Sequence, residues 1–335
     1  MNILVTGANG FLGSYVVNEA LEKGWTVFAA VRPSSDRKYL RDSRIRFINL
    51  HYTETTTLTG QFCQLKADGT VFDYVVHCAG IINACDKNNF FRVNYEYSKN
   101  LVEALIAANA VPQKFVYISS LSASGPGDFH SPKPIMLSDM PTPNTFYGKS
   151  KRKTEEFLES LVDFPYMSLR LTGIYGPRDR GFYKYARFVR NGFIPILGFS
   201  PQYLTFIHAH DAARIIVAAL ESPLIQRTYF IADGDVYTLK EYAAIVRKCL
   251  KKRIVITFTF PLWLVKSLAY VLDATYGWFG KSCNILNKDK YNIISARNWI
   301  CETEPLFRDL HIRPQHQLPE AMQETINWYK LEKWL

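Results

Sequence analysis

Apolar runs six to eight residues long recur through the first half of the chain, and polar, Gly-rich or amphipathic stretches separate them. Runs of this length between turn residues are typical of buried strands. We predict strands at 2–7, 26–32, 45–50, 74–80, 114–120 and 166–173. Apolar residues recur at helical spacing in the intervals 12–24, 94–109 and 148–162. This alternation predicts an α/β fold, with a doubly wound parallel sheet of the Rossmann type between two layers of helices.

The second half has a less regular pattern. It predicts a helix within 177–198, a strand and a helix across 203–222, and then short strands, helices and aromatic residues. The most apolar stretch, 254–272, is interrupted by Pro261 and Lys266. We therefore interpret it as a core strand, a turn and a helix, because a membrane span needs about 20 apolar residues. A helix that lies on a membrane surface is the minor alternative.

The chain carries 40 Lys and Arg against 30 Asp and Glu, which gives a formal net charge of +10. The basic residues are spread along the whole sequence, and the most basic short run, 149–153, is followed at once by acidic residues. No basic stripe therefore predicts a nucleic-acid interface. A phosphate-bearing cofactor and a generally basic surface account for the charge.

The cysteines form no CxxC motif and no cluster with histidine at zinc-like spacing, so no metal site is expected. They are Cys63, Cys78, Cys85, Cys249, Cys283 and Cys301. Met1 leads directly into an apolar strand pattern, without a charged segment or a cleavage site. These features together predict free thiols and a cytoplasmic location.

Three glycines separate the first predicted strand from the first predicted helix, at Gly7, Gly10 and Gly13 in the segment TGANGFLG. Glycine permits a tight turn, lets the backbone approach a pyrophosphate, and lets a helix pack closely on a strand. The helix N-terminus then offers free N–H groups to an anion. A plain Gly-rich turn is the alternative, but this context favours dinucleotide binding.

The residue at the end of the second strand usually selects the dinucleotide. An acid there binds the ribose hydroxyls of NAD, and a base accommodates the 2′-phosphate of NADP. Here the strand ends in Arg32, followed by Arg37 and Lys38, and Asp36 lies too far past the strand for the ribose. NADP is therefore favoured over NAD. Stacking of Arg32 on the adenine, which would suit either cofactor, is the alternative.

Tyrosine and lysine stand four residues apart at 147/151, 95/99 and 329/333. Residues with this spacing share one face of a helix. The spacing alone does not separate a reactive pair from a helix with a basic face, so the place of each pair in the fold decides.

Five further segments form a series along the chain: VVHCAG (75–80), RVNYEYSKNLVEA (92–104), VYISSLSASG (116–125), LRLTGIYGPRD (169–179) and FIHAHDAARIIVAAL (206–220). Together with TGANGFLG and YGKSK, this series resembles the extended short-chain dehydrogenase/reductase superfamily, also called the NAD-dependent epimerase/dehydratase family. The resemblance covers essentially the whole chain, with Leu171 where the family usually has proline.

The resemblance implies a catalytic set of Ser120, Tyr147 and Lys151, with Ser119 and Ser122 as rivals for the serine. It also implies cofactor contacts from Gly7, Gly10, Phe11, Leu12, Gly13, Arg32, Cys78, Ala79, Gly80, Asn94, Ser119, Tyr147, Lys151, Thr172, Gly173 and Ile174. A lysine ammonium and the oxidised nicotinamide would lower the pKa of Tyr147, which is otherwise near 10. Tyr147 could then exchange a proton with a substrate oxygen that Ser120 holds.

The resemblance also implies two domains. The dinucleotide-binding Rossmann domain would comprise 1–172 and 203–232, and a smaller C-terminal substrate-binding lobe would comprise 173–202 and 233–335. A homodimer through a four-helix bundle is expected, with helices from 94–109 and 148–162.

One stretch departs from the family pattern. His51 stands where an aspartate usually contacts the adenine, so we expect a different adenine contact, through stacking on Tyr52 or through backbone groups. His51 as a plain surface residue is the alternative.

The fold alone does not select the reaction, since the superfamily includes reductases, dehydrogenases, epimerases and dehydratases. The segments 261–273, 286–302 and 318–329 resemble the tails of the 3β-hydroxysteroid dehydrogenase and dihydroflavonol reductase-like branch. We therefore predict an NAD(P)-dependent oxidoreductase that interconverts an alcohol and a ketone on a small, apolar or alicyclic substrate. A nucleotide-sugar epimerase or dehydratase with retained NAD is the first alternative, and an NADP-binding sensor without turnover is the second.

Overall fold

A sheet of seven parallel strands lies at the centre of the computed structural model, which describes residues 1–279 and 286–335. The strands in chain order are β1 (Asn2–Thr6), β2 (Thr26–Ala30), β3 (Arg46–Ile48), β4 (Tyr74–His77), β5 (Lys114–Ser120), β6 (Tyr166–Leu171), β7 (Gly173–Tyr175), β8 (Phe193–Leu197), β9 (Tyr203–Leu204), β10 (Phe206–His208), β11 (Arg227–Ile231), β12 (Tyr237–Thr238), β13 (Ile256–Phe260) and β14 (Asn298–Trp299). The α-helices are α1 (Phe11–Glu22), α2 (Thr55–Ala67), α3 (Lys87–Phe91), α4 (Tyr97–Ala107), α5 (Phe146–Glu159), α6 (Gly181–Arg190), α7 (Ala209–Glu221), α8 (Leu239–Cys249), α9 (Leu262–Phe279), α10 (Lys288–Ser295), α11 (Glu304–Leu310) and α12 (Leu318–Leu331).

The strand order across the central sheet is β11, β6, β5, β4, β1, β2, β3. The chain winds outward from β1 in one direction and from β4 in the other, so the predicted doubly wound α/β fold is confirmed. Ligands of such sheets bind at the carboxyl ends of the strands where the winding reverses. That point lies here between β1 and β4.

Helices cover both faces of this sheet. Residues of α1, α7 and α11 pack on one face in a core that includes Val16, Ile216 and Phe307. Residues of α2, α4 and α5 pack on the other face in a core that includes Phe62, Leu105 and Leu158. The central strands are buried on both faces, which explains why their sequence shows apolar runs instead of alternation.

A third core lies under the short strands of the second half. It joins α6, β8, α8 and α12 and includes Tyr175, Ile196 and Tyr329. Next to it, β9 pairs with β12 and β14, and β8 pairs in parallel with β13. The predicted domain boundaries stay a prediction.

The structure corrects the expectations for the stretch 254–272 and for one of the cysteines. The strand and the helix predicted within 254–272 are present as β13 and α9, but the expected core position of the strand is wrong, because all five residues of β13 are exposed. The expectation of free thiols is wrong at Cys85, which is disulfide-bonded; Cys283 lies outside the described residues. Within the described part of the chain, no helix combines the length and the apolarity that crossing a bilayer requires.

Candidate active site

The turn between β1 and α1 is closed so tightly that its glycines leave no room for side chains. Gly7 has a φ of +63°, and a Cβ there would lie 2.8 Å from the backbone of Ala79. A Cβ on Gly13 would lie 2.3 Å from the carbonyl oxygen of Gly7. Gly10 is the N-cap of α1, so the free N–H groups of the first helical turn lie at this loop. Bare backbone and the positive end of the helix dipole form a cradle that fits a pyrophosphate.

Asn94 fastens the loop after β4 to α5. It lies in a π-helical turn, Arg92–Glu96, and is fully buried. Its Oδ1 accepts from the N–H of Ile81 at 2.8 Å, and its Nδ2 donates to the carbonyl of Ile81 and to Ser150 Oγ, each at 3.0 Å. Such π-turns frequently occur at functional sites.

His77 was missed by the sequence analysis. Its Nδ1 lies 2.7 Å from Thr6 Oγ1 and its Nε2 lies 2.8 Å from Ser98 Oγ, and Ser98 donates in turn to the carbonyl of Asn94. Burial lowers the pKa of His77 to about 3, so the ring is neutral. This chain of hydrogen bonds joins β1, β4 and the π-helical turn beneath the site. Its sequence signals were its place in the VVHCAG segment (75–80) and its position as a polar residue at the end of an apolar run.

Alternation along β5 separates the rival serines. The side chain of Ser119 is buried and donates to Glu155 Oε1 at 2.6 Å. Ser120, on the opposite face of the strand, lines a cavity together with Ser122. Ser120 Oγ also accepts from the N–H of Ser122 at 3.2 Å. The Ser119 side chain is thus used in the buried network behind the strand, whereas Ser120 and Ser122 both face the cavity. Hydrogen bonding between Tyr147 and Ser120 makes Ser120 the candidate catalytic serine.

Tyr147 lies in the first turn of α5, where Thr145 caps the helix by accepting from the N–H of Gly148. The N–H groups of Phe146 and Tyr147 donate to the carboxylate of Asp289. Burial raises the pKa of the Tyr147 phenol, and hydrogen bonding to Ser120 opposes that rise. Tyr147 and Ser120 are thus brought together from different elements, as the predicted site requires.

Lys151 lies one turn further along α5 and is 5% exposed. Its Nζ donates to the carbonyl of Ile118 at 2.8 Å and lies 4.9 Å from the centre of the Tyr117 ring. A Cβ on Gly80 would lie 3.3 Å from Nζ, so the ammonium group is at the loop after β4. Burial lowers the pKa of Lys151 to about 8.

The other two tyrosine–lysine pairs have structural surroundings. Tyr95 lies under the ammonium group of Lys153, and Lys99 forms an ion pair with Glu103. Tyr329 is buried in the third core, where its ring stacks on Trp334. Neither pair lies at the carboxyl ends of the central strands.

The other predicted cofactor contacts lie around the same strand ends. Phe11 is the first residue of α1 and packs edge-on against Tyr15, and Leu12 is buried. Cys78 follows β4, and burial raises the pKa of its thiol to about 12. Thr172 and Gly173 line the cavity next to Ser120, and Ile174 packs against the first core.

Arg32 follows β2 and is exposed. Arg37 stacks on the Phe47 ring at 4.3 Å, and Lys38 forms an ion pair with Glu332. Among the described residues, Arg32 has no such ion pair. Arg32 is therefore available to an anionic ligand, whereas Lys38 is already paired with Glu332.

The structure bears on two expectations for the adenine end of the cofactor, namely stacking on Tyr52 and a surface position for His51. Tyr52 stacks on Tyr97 at 6.3 Å and packs against the second core, so its ring already has an aromatic neighbour. His51 is exposed, with its Nε2 3.4 Å from Asn49 Nδ2. This position agrees with the alternative of a surface residue at His51.

His210, Asp211 and His316 place ligand-type atoms within 4.8 Å of one another. The buried Asp211 carboxylate already accepts from Arg214, from the N–H groups of Gln315 and His316, and from the His316 ring. These bonds account for the cluster as a link between α7 and the segment before α12.

A cavity of about 450 Å³ begins at Ser120 and extends toward β8 and α10. Its walls are mostly aliphatic and aromatic side chains, and none of the described lining residues carries a formal charge. The lining residues include Leu171, Phe182, Pro195, Leu197, Leu204, Phe206, Ile293, Ile294 and Trp299. Polar groups are few and include Thr172, Tyr185 and Gln202. Such a space suits an apolar molecule with its reactive group at the Ser120 end.

A family model described as the NAD dependent epimerase/dehydratase family matches residues 3–232. The ceramide reductase of Caulobacter vibrioides is 25% identical over 339 residues, which cover 99% of this chain and 96% of that protein. The decarboxylating sterol-4-alpha-carboxylate 3-dehydrogenase of Dictyostelium discoideum is 25% identical over 323 residues, covering 89% and 92%. The solved structure of the UDP-glucuronic acid 4-epimerase of Bacillus cereus in complex with NAD has a TM-score of 0.76 at 20% identity, with 99% of both chains covered.

Proposed function

The chain belongs to the NAD-dependent epimerase/dehydratase family, and from this premise we propose that it is an NADP(H)-dependent oxidoreductase that interconverts an alcohol and a ketone on an apolar substrate. The observation that carries the proposal is the uncharged, largely apolar cavity that begins at Ser120. A substrate carbonyl at that end would lie beside the hydroxyl groups of Ser120 and Tyr147.

Ser120, Tyr147 and Lys151 each have a separate role in the proposed reaction. Ser120 donates a hydrogen bond to the substrate oxygen and fixes its position. Tyr147 gives its phenolic proton to that oxygen during reduction and takes it back during oxidation. The buried Lys151 ammonium stabilises the phenolate that Tyr147 forms when its proton leaves. A bound nicotinamide dinucleotide supplies the hydride to the carbonyl carbon, so that one hydride and one proton convert the ketone to the alcohol.

The glycine turn fits the dinucleotide, because Gly7 and Gly13 let the backbone close tightly at the start of α1, where free N–H groups can bind a pyrophosphate. Arg32 supports NADP over NAD, since its exposed guanidinium can pair with a 2′-phosphate. Asn94 and His77 would act indirectly, by holding the loop after β4 and α5 in place.

The relatives also support a lipid-like substrate. The names of two of them specify a ceramide and a sterol, and both align with most of this chain. A nucleotide sugar is less suited to the cavity, because its pyrophosphate would lie against uncharged walls.

Replacing Tyr147 with Phe tests the proposal. We expect NADPH oxidation with apolar ketones to fall by about 10²- to 10⁴-fold, since the variant keeps the ring but loses the proton donor. NADPH binding, followed by nicotinamide fluorescence, should persist. Tyr95→Phe is the matched control and should retain full activity. Retention of ketone reduction by Tyr147→Phe would overturn the assigned role, and wild-type protein that binds NADPH but reduces no ketone would favour the sensor.

A further inference from the structure

The face that β8 and β13 share is apolar and exposed. Residues aligned in a parallel pair direct their side chains to the same face, and here Ile256 aligns with Phe193, Phe258 with Pro195 and Phe260 with Leu197. The side chains of Ile194 and Ile196, on the other face of β8, are buried in the third core. Phe258 nevertheless remains 45% exposed. The surface of the β8–β13 pair that points away from the third core is therefore apolar and exposed.

The helix that follows continues this surface. In α9, Trp263 is 70% exposed, Leu264 and Leu268 are also exposed, and Ala269 is buried. Ile254, just before β13, is 84% exposed. We call these residues together the apolar face: Phe193, Ile254, Ile256, Phe258, Phe260, Trp263, Leu264 and Leu268. A patch of this kind on a folded chain marks an interaction site.

The segments that form the apolar face are basic, and the exposed Asp273 lies just past them in α9. The segments 181–210 and 242–272, which form it, contain nine Lys and Arg and no Asp or Glu. Lys251, Lys252 and Arg253 are exposed and lead directly into Ile254. The N–H of Ile256 donates to the carbonyl of Gly192, which brings the exposed Arg190 at the end of α6 to the same edge. The rim therefore attracts an anionic surface.

The apolar face also adjoins the candidate active site. Pro195 and Leu197 share its sheet face and line the cavity. α10 packs against α9, contributes Ile293 and Ile294 to the cavity, and carries the Asp289 that holds the start of α5. The described side chains that the face and the cavity share are apolar, so an apolar molecule on the face would meet apolar contacts at the cavity.

We propose that the apolar face docks in the interfacial layer of a bilayer that contains anionic lipids, with the basic rim on the headgroups. Exposed aromatic and aliphatic side chains with flanking Lys and Arg are the features of a surface that lies on a membrane without spanning it. A second copy of the chain is a poorer occupant, because two such rims would repel each other. The docking itself does not depend on turnover; the supply of substrate from the bilayer rests on the proposed function.

Vesicle flotation tests the docking. We expect the wild-type chain to float with vesicles of phosphatidylcholine and phosphatidylglycerol, and far less with phosphatidylcholine alone. Trp263→Glu combined with Leu268→Glu should lower binding by about tenfold or more. Lys251→Glu combined with Lys252→Glu should lower binding by about tenfold, and added salt should weaken the wild type in the same direction.

Two controls match these variants. Val162→Glu changes an exposed apolar residue distant from the apolar face, and Lys133→Glu reverses an exposed charge elsewhere; both should bind vesicles like the wild type. Melting temperature and NADPH binding verify that each variant is folded. Absence of wild-type flotation, or equal loss in the controls, would overturn the proposal. The proposal would also be overturned if the wild type sedimented as a dimer and the Trp263→Glu variant as a monomer, since a second copy of the chain would then cover the apolar face. Flotation without ketone reduction would contradict the proposed function alone.

Discussion

At the scale of the residue, burial and hydrogen bonding distinguish side chains that the sequence leaves equivalent. Three tyrosine–lysine pairs have the same spacing, yet of these lysines Lys151 is the buried one, and it lies beside the end of β4. Ser119 and Ser120 are neighbours in sequence, but the strand turns one toward Glu155 and the other toward the cavity. Period-two alternation follows from strand geometry, but its register required the structure.

The burial of Lys151 should reduce the stability of the protein. Its pKa falls from 10.5 to about 8, which corresponds to a cost of about 3 kcal/mol while the group is charged in both states. Below about pH 8, Lys151 is charged in both the folded and the unfolded protein, and the full loss of stability is present. The loss declines as Lys151 of the folded protein releases its proton, and it is gone above pH 10.5. We therefore expect Lys151→Met to raise the melting temperature at pH 7 and to lose that advantage toward pH 10.5. A variant that melts lower at pH 7, or whose advantage is independent of pH, would contradict this; Lys149→Met on the same helix is the exposed control.

Arg32 should determine the preference between cofactors. Removal of a charged partner of the 2′-phosphate costs about 1.5–3 kcal/mol, so Arg32→Ser should weaken NADPH binding by about 10- to 100-fold and change NADH binding little. Titration by nicotinamide fluorescence measures both. Arg37→Ser, which removes the guanidinium stacked on Phe47, is the control. Equal weakening of both cofactors would indicate that Arg32 stacks on the adenine.

At the scale of the element, α5 carries Tyr147 and Lys151 at the candidate site, and its extent was largely predictable from the sequence. The helix was expected at 148–162 and runs from Phe146 to Glu159, because Thr145 supplies the N-cap. The π-helical turn at Arg92–Glu96 was not predictable, since one irregular turn leaves no trace in apolar spacing. β13 was misassigned to the core because its composition shows that it is apolar but not whether anything covers it.

Glu155 should hold α5 against the sheet. Both its carboxylate oxygens accept from Arg170, at 2.9 and 2.7 Å, and the pair is buried. Loss of one partner from a buried ion pair costs about 3–5 kcal/mol, so Glu155→Gln should lower the free energy of unfolding by about that amount in urea titrations. Glu156→Gln, which removes a surface ion pair with Arg152, should cost less than about 1 kcal/mol. A Glu155→Gln variant as stable as the wild type would show that packing alone positions α5.

At the scale of the whole molecule, the doubly wound sheet could be predicted from the sequence, whereas the cavity could not. Apolar runs separated by helices were enough to predict a doubly wound sheet, and its switch point locates the glycine turn beside the loop after β4. The cavity draws its walls from α6, β8, α10 and β14, which are distant in sequence, so no local pattern could outline it. The cytoplasmic location and the homodimer through α4 and α5 stay predictions.

Following the hydride distinguishes ketone reduction from epimerisation of a nucleotide sugar. The protein is incubated with NADPH deuterated at both C4 positions of the nicotinamide, in one reaction with a pool of apolar ketones and in another with nucleotide sugars. In the ketone reaction we expect an alcohol that carries one deuterium on its carbinol carbon, and no such alcohol from the Tyr147→Phe variant. An unlabelled, epimerised nucleotide sugar, with the ketones untouched, would contradict this expectation, because an epimerase returns the hydride it has taken.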